Sequence, residues 1–235
     1  MELNILSFNT QHCMNYITRK IDYRSVADLI KETEADIIGL NEIRGEGDLF
    51  EYEAQMEKLA SLTGYYYYFG QAIMVCGTGP YGNGILSKYP IKSVEKIMIP
   101  DPETKNGNQP YETRCIIKAT IDVGTDLTVM VSHFGLNLDE RMNAAQTLVP
   151  ALENEKCIFM GDLNTTPEEP ILDGIRARMT DADDYLNGKL LSYPSDKPEI
   201  KIDYIFVSPD IKIKYADIPP RVVSDHRPYI AKIEI

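Results

Sequence analysis

The chain has 235 residues, 43% hydrophobic and 26% charged, with a formal net charge of -12. That size and balance predict one globular domain over 1–235 with a sizeable core, and exclude a disordered or fibrous chain. The acidity argues against a surface that grips polyanions without specificity, and no apolar run approaches the ~18 residues that span a bilayer.

Taken in chain order, ELNILSFN (2–9) reads as a buried strand, with no basic and then apolar leader ahead of it. Asp22 is placed to cap a helix to about Glu34, with Val26, Leu29 and Ile30 on one face. DIIGLNE (36–42) is a second buried strand, and strand–helix–strand with a compact crossover predicts a parallel or mixed-sheet unit. A second helix fits Tyr52 to Leu62, ended by Gly64; strands then predominate, at 65–70, 84–87, 91–99, 112–122 and 127–133. A third helix fits Asp139 to Glu153, with strands after it at 157–161, 202–207, 211–216 and 228–233. So many strands with three or four helices predict packed sheets covered by helices. The run Tyr65–Tyr68 invites a base-stacking reading, but a strand with aromatics on both faces is the simpler account. Cys13, Cys76, Cys115 and Cys157 lie far apart with no C-x-x-C pair, which argues against a zinc cluster or disulfide framework and for a reducing cytoplasm.

Polar residues collect where these apolar runs end. Asn9 follows LNILSF, Glu42 follows DIIGLN, His133 follows LTVMVS, and Asp162 and Asn164 follow CIFMG. Asp203 opens DYIFV, and Asp225 and His226 precede the last strand. One such residue is usually a turn former; eight with metal-site chemistry point to a site presented by a rigid scaffold. Oxygen donors without cysteine suit a hard cation such as Mg²⁺ or Mn²⁺. Phosphoester hydrolysis asks for a Lewis acid, an oriented water and help for the leaving group. A histidine beside a carboxylate can move that proton near neutral pH.

In this order, SFN, LNE, GNGILSKYPI, SHFGL, GDLNTTP, KIDYIFVS and SDHRP resemble the motifs of the endonuclease/exonuclease/phosphatase superfamily, from about Ile5 to Tyr229. GDLN and SDH form the most specific pair. The resemblance implies an α/β fold, a four-layer sandwich of two packed, mostly antiparallel (mixed) β-sheets flanked by helices. It also implies a Mg²⁺/Mn²⁺-dependent phosphoesterase with one or two ions and a phosphate-ester substrate, monoester or diester. Glu42 matches the main metal ligand, Asn9 a residue close to metal and phosphate, and Asp225 a second ligand. Asp162 and Asn164 match the pair that orients the attacking water and contacts the phosphate. His226 matches the essential histidine, Asp203 the carboxylate that orients it, and His133 a histidine that protonates the leaving group or contacts the phosphate. Asn83 corresponds to a site-lining amide and Arg114 to a phosphate-facing or structural guanidinium. His12 reads as exposed or set behind the ligands.

Three departures bear on the branch: Asn41 where the family often has Gln, Gln11 where abasic-site endonucleases carry an acid, and His133 where they carry Tyr. They lead away from abasic-site repair. A nuclease or DNA-end-processing phosphodiesterase is the alternative, with a basic rim from Arg19, Lys20 and Lys105, although the net charge gives no sign of a nucleic-acid partner. An inactive binding module is remote, since the polar set is intact. Loops at 71–82 and 187–201 are expected to wall the pocket.

Overall fold

A computed structural model describes residues 1–183 and 190–235. β1 (Glu2–Asn9) carries a near-continuous apolar run because both its faces are covered. Leu3 and Ile5 enter the core between two sheets, and Leu6 and Phe8 enter a second core on the other face. β2 (Ile37–Arg44) repeats the pattern with Ile37 on one side and Ile38 and Leu40 on the other. Between them α1 (Tyr23–Glu32) starts where the Asp22 carboxylate accepts the Ser25 backbone N–H at 3.1 Å, and it buries Val26, Leu29 and Ile30. The crossover makes β1 and β2 parallel, Asn9 opposite Asn41. α2 (Gln55–Thr63) begins three residues later than the sequence suggests and ends at Gly64, whose φ of 80° favours glycine.

β3 (Tyr66–Val75) and β4 (Gly79–Ser87) follow as a hairpin. The expected wall loop at 71–82 is thus mostly strand, with only residues 76–78 turning. Its glycines gave the signal of a longer loop, but cross-strand pairs such as Val75 with Gly79 carry the ladder to the turn. The tyrosine run lies on an edge strand with Tyr66 and Tyr67 exposed.

β5 (Ile91–Met98), β6 (Cys115–Asp122), β7 (Asp126–Ser132) and β8 (Cys157–Asp162) build the second sheet. α3 (Leu138–Ala151) crosses from β7 to β8 and makes that pair parallel. The short α4 (Asp173–Arg176) and β9 (Thr180–Asp181), neither foreseen, lead to β10 (Asp203–Val207), β11 (Lys212–Asp217) and β12 (Tyr229–Glu234). Each sheet has six strands, ordered β11-β12-β1-β2-β4-β3 and β5-β6-β7-β8-β10-β9, and each is antiparallel except for its one parallel pair. Ile5, Ile117, Val131, Met160 and Ile205 fill the space between the sheets. α1 and α2 cover one outer face, and α3 with Leu148 and α4 with Ile175 cover the other over Phe159 and Phe206. The four-layer α/β sandwich expected from the motifs is the observed fold.

Register brings the polar residues to one end. Asn9 and Asn41 close the first parallel pair, Asp203 pairs with Asp162, and Tyr229, three residues after His226, pairs with Ser7. At Gly161, φ is 146° and an added Cβ would lie 1.9 Å from the Ser132 carbonyl oxygen, so only glycine lets β8 end here.

Candidate active site

Glu42 reaches the site through a bulge. Leu40 opposes Gly84 and Ile43 opposes Gly82, so Asn41 and Glu42 together face Asn83, and Glu42 takes φ 60°. A bulge re-aims a side chain out of the ladder, and strain of this kind gathers at functional sites. Asn41 braces the arrangement: its Nδ2 donates to Asn83 Oδ1 at 2.9 Å and to the Ser132 carbonyl at 3.0 Å, while its Oδ1 accepts the Asp162 N–H at 2.9 Å. The two sheets are thereby joined beneath the site.

Asp162 is the centre, 2% exposed. Its Oδ1 accepts the Asn164 N–H at 2.9 Å, which holds Asn164 at φ 47°. Its Oδ2 accepts from Asn9 Nδ2 at 3.0 Å and lies 3.5 Å from Nε2 of both His133 and His226. The two histidines differ in what stands behind them. His226 Nδ1 meets the buried Asp203 carboxylate at 2.8 Å. Burial opposes its charge, but Asp203, Asp162 and Asp225 outweigh burial and raise the imidazole to about 10. His133 Nδ1 instead meets Arg114 Nη1 at 3.2 Å. Arginine only donates, so this nitrogen accepts, and a neutral ring then carries its proton on Nε2, which lies 3.5 Å from Asp162 Oδ2 and 3.2 Å from Asn164 Nδ2. Burial, then the Arg114 charge, pushes His133 well below the usual histidine range. Burial also raises the Asp162 carboxyl, against the pull of His226.

Glu42 Oε1 accepts from Asn9 Nδ2 at 3.1 Å, and its Oε2 lies 3.6 Å from His12 Nε2. Asp225 Oδ2 accepts from Gln11 Nε2 at 3.0 Å, while Gln11 Oε1 is buried without a partner. Three positive-φ residues, Gln11 to Cys13, bend the chain so that Gln11 and His12 both face these carboxylates. Asp162, Asp203 and His226 form a cluster able to hold a metal ion, their ligand atoms within 4.8 Å of one another. A proton already bridges two of these groups, His226 and Asp203. Glu42 and Asp225, with the orphaned Gln11 oxygen beside Asp225, offer hard oxygens without that competition, and this donor set fits a hard divalent cation. The thiols lie elsewhere, with Cys13, Cys115 and Cys157 buried.

A pocket of about 660 Å³ opens over this cluster, lined by Glu42, Arg114, His133, Asp162, Asn164, Asp225 and His226 among others. Asp203 lies behind His226, fully buried. Asn9 turns its amide nitrogen to two carboxylates and its Oδ1 to the Gln11 N–H, so here it is a donor bridging them. Asn83 is not on the wall; its amide is spent on Asn41 and the Cys115 carbonyl. Arg114 reaches the pocket but is held by Glu112, at 2.8 Å, and His133. His12 stands beside Glu42 and lines the pocket with it. The Tyr193 ring centroid lies 4.9 Å from that of His226, and Glu112, which also lines the pocket, was not singled out in the sequence. Glu112 opens the strand expected at 112–122, but the ladder begins only at Cys115, so strand alternation gives its side chain no direction. Of the expected wall at 187–201, residues 187–189 lie outside the described residues, while Tyr193 and Ile200 do line the pocket.

Solved structures of the same fold include an endonuclease/exonuclease/phosphatase protein from Beutenbergia cavernae, 18% identical, with a TM-score of 0.80 over 100% of this chain and 72% of that one. One from Bacteroides vulgatus is 20% identical, TM-score 0.76, covering 100% and 99%. A mannosyl-6-phosphatase from Bacteroides thetaiotaomicron is 17% identical, TM-score 0.74, covering 99% and 100%. No curated protein matches the sequence. The model of the endonuclease/exonuclease/phosphatase family matches residues 6–226, and this chain belongs to that family.

Proposed function

We propose that this protein is a Mg²⁺- or Mn²⁺-dependent hydrolase of phosphate esters. The observation that carries the reading is the single Asp162 oxygen faced by two histidines, one backed by Asp203 and the other by Arg114, with a hard-oxygen donor set alongside. Glu42 and Asp225 would hold the cation, with Asn9 fixing the Glu42 carboxylate. When bound, the cation supplies Lewis-acid polarisation of a phosphoryl oxygen.

The remaining work belongs to the chain. Asp162, its proton affinity raised by burial, takes a proton from the attacking water as oxygen bonds to phosphorus. The ester P–O bond breaks, and His226 gives its proton to the departing alkoxide. Asp162 then returns a proton to His226 across 3.5 Å, so phosphate and alcohol leave with both residues reset. His133 and Asn164 line the pocket beside Asp162, with Asn164 Nδ2 held 3.2 Å from His133 Nε2 and donating to the Phe134 carbonyl at 3.1 Å. Asp203 keeps the His226 ring oriented.

The mannosyl-6-phosphatase neighbour is consistent with a monoester substrate. Nothing specific favours the nuclease alternative. Arg19 stacks on Tyr16 and Lys105 on Tyr111, and neither cation lines the pocket. The test is a panel of phosphomonoesters and phosphodiesters in Mg²⁺ and in Mn²⁺, with His226→Ala beside the wild type. Turnover is expected, falling by about 10²–10⁴ in the folded variant. A silent panel, or unchanged turnover in His226→Ala, would sink the reading.

A further inference from the structure

The floor and the mouth of the pocket differ in chemistry. The floor is ionic, but the wall above it includes Tyr52, Val75, Pro110, Leu136, Tyr193 and Ile200. Leu136 is 43% exposed and Ile200 39%, an unfavourable use of large aliphatic side chains unless something covers them. Phe50, Met74, Leu138 and Leu191, each within two residues of this wall, are exposed as well. The apolar lining therefore comes from five separate segments.

Charge narrows the occupant. Among the described residues, Arg114 is the only lysine or arginine on the pocket wall, and Glu112 and His133 already hold it. Four carboxylates, Glu42, Glu112, Asp162 and Asp225, share that wall. One or two divalent cations offset those charges near the reacting phosphoryl group and leave no positive groups for a second phosphate further out. A polyanion would meet an apolar wall and Glu112, with nothing to replace its hydration.

The wall is also fixed in place. Ile200 is pinned by the Ile200 N–H to Tyr193 carbonyl bond at 3.0 Å and the Ser192 N–H to Ile200 carbonyl bond at 2.9 Å. Leu136 immediately precedes Asn137, which caps α3 and binds the Gln109 N–H at 3.0 Å. A preformed apolar surface of this kind selects by the alcohol half of the ester.

The geometry points to a substrate with one phosphoryl group esterified to an uncharged alcohol that carries an apolar face, seated against Leu136 and Ile200. This rests on the phosphoesterase reading and deepens it. Attack at phosphorus leaves the apolar alcohol as the product released through the mouth.

The experiment measures kcat/KM in Mn²⁺ for methyl, butyl, hexyl and octyl phosphate below their micellar concentrations, with phenyl phosphate as the aromatic arm. Mannose 6-phosphate, a sugar bisphosphate and an oligonucleotide complete the set. We expect about a threefold gain for each methylene that reaches the wall, with all three polar substrates below octyl or phenyl phosphate. A steeper gain with chain length than with the phenyl ring marks an alkyl alcohol, and the reverse an aryl one; either supports the proposal. Leu136→Ser and Ile200→Ser, on separate segments, should each reduce the octyl-to-methyl ratio by at least about threefold. A flat alkyl series with no phenyl advantage, or better turnover of the sugar phosphate, bisphosphate or oligonucleotide, would overturn the proposal while leaving the phosphoesterase reading intact. No turnover of any ester would remove both.

Discussion

His133 and His226 present the same Nε2 atom to the same Asp162 oxygen, yet burial and then the Arg114 charge lower the proton affinity of one, while Asp203, Asp162 and Asp225 raise that of the other against burial. Asp203 accepts a hydrogen bond, so His226 keeps an Nδ1 proton; Arg114 donates one, so His133 cannot. Replacing Arg114 with methionine keeps the stem and removes the donor. In metal-free, ¹⁵N-labelled protein at neutral pH, wild-type His133 should show one tautomer with the proton on Nε2, and Arg114→Met a mixture. A pure Nε2–H signal in the variant would end the case for Arg114 as a positioning residue. This pairing was not legible in the sequence: Arg114 stands in ETRC and His133 in SHFGL, and only the pairing of β6 with β7, whose ladder ends at Ile116 opposite Ser132, brings the two close.

At the scale of elements, local rules held where local chemistry decides. Asp22 caps α1 as its position before an amphipathic run implied, with bonds from both Ser25 N and Ser25 Oγ. Those bonds hold the Asp22 carboxyl below its ordinary value. A carboxyl lowered by folding stabilises fully above its unfolded value, about 4, and that stabilisation is lost as pH falls through the lowered one. Asp22→Ala should therefore cost about 1 kcal/mol at neutral pH, with the gap to wild type closing as the solution is taken below about pH 3. Urea midpoints across that range measure it, and a gap that stays constant with pH would contradict the assignment. The hairpin of β3 and β4 was less legible, because Gly79, Gly82 and Gly84 mark turns in sequence but here leave room for close packing, and only Gly77 turns the chain. At Gly84, for example, an added Cβ would lie 2.2 Å from the Met56 sulfur.

At the scale of the molecule, a net charge of -12 coexists with four carboxylates, Glu42, Asp162, Asp203 and Asp225, gathered at one end of the sandwich. Their mutual repulsion disfavours the folded state, and a bound divalent cation relieves it. A ligand that binds only the native state at a hundred times its Kd adds about 2.7 kcal/mol, and a chain of this size gains about 2–4 °C in Tm per kcal/mol. Mn²⁺ or Mg²⁺ should thus raise Tm by several degrees over an EDTA-treated sample. The same chelation should stop turnover, with Ca²⁺ a poor replacement because it is larger and more loosely coordinated. Identical melting in EDTA and in Mn²⁺ would place the cation outside this carboxylate group.

The sequence by itself determined the layers and the inventory. Apolar runs buried on both faces, one capped crossover helix and polar residues at strand ends are local patterns, and SFN, LNE, GDLN and SDH identified the family in advance. The tertiary structure alone decided which group faces which. Asn83 turns away to brace Asn41, Asn9 donates between two carboxylates, Arg114 meets Nδ1 of His133, and five distant segments line an ionic floor with an apolar mouth. Periodicity reports which side of an element is buried. It carries no information on what lies opposite, which is fixed by strand register, one bulge at Glu42 and the packing of two sheets.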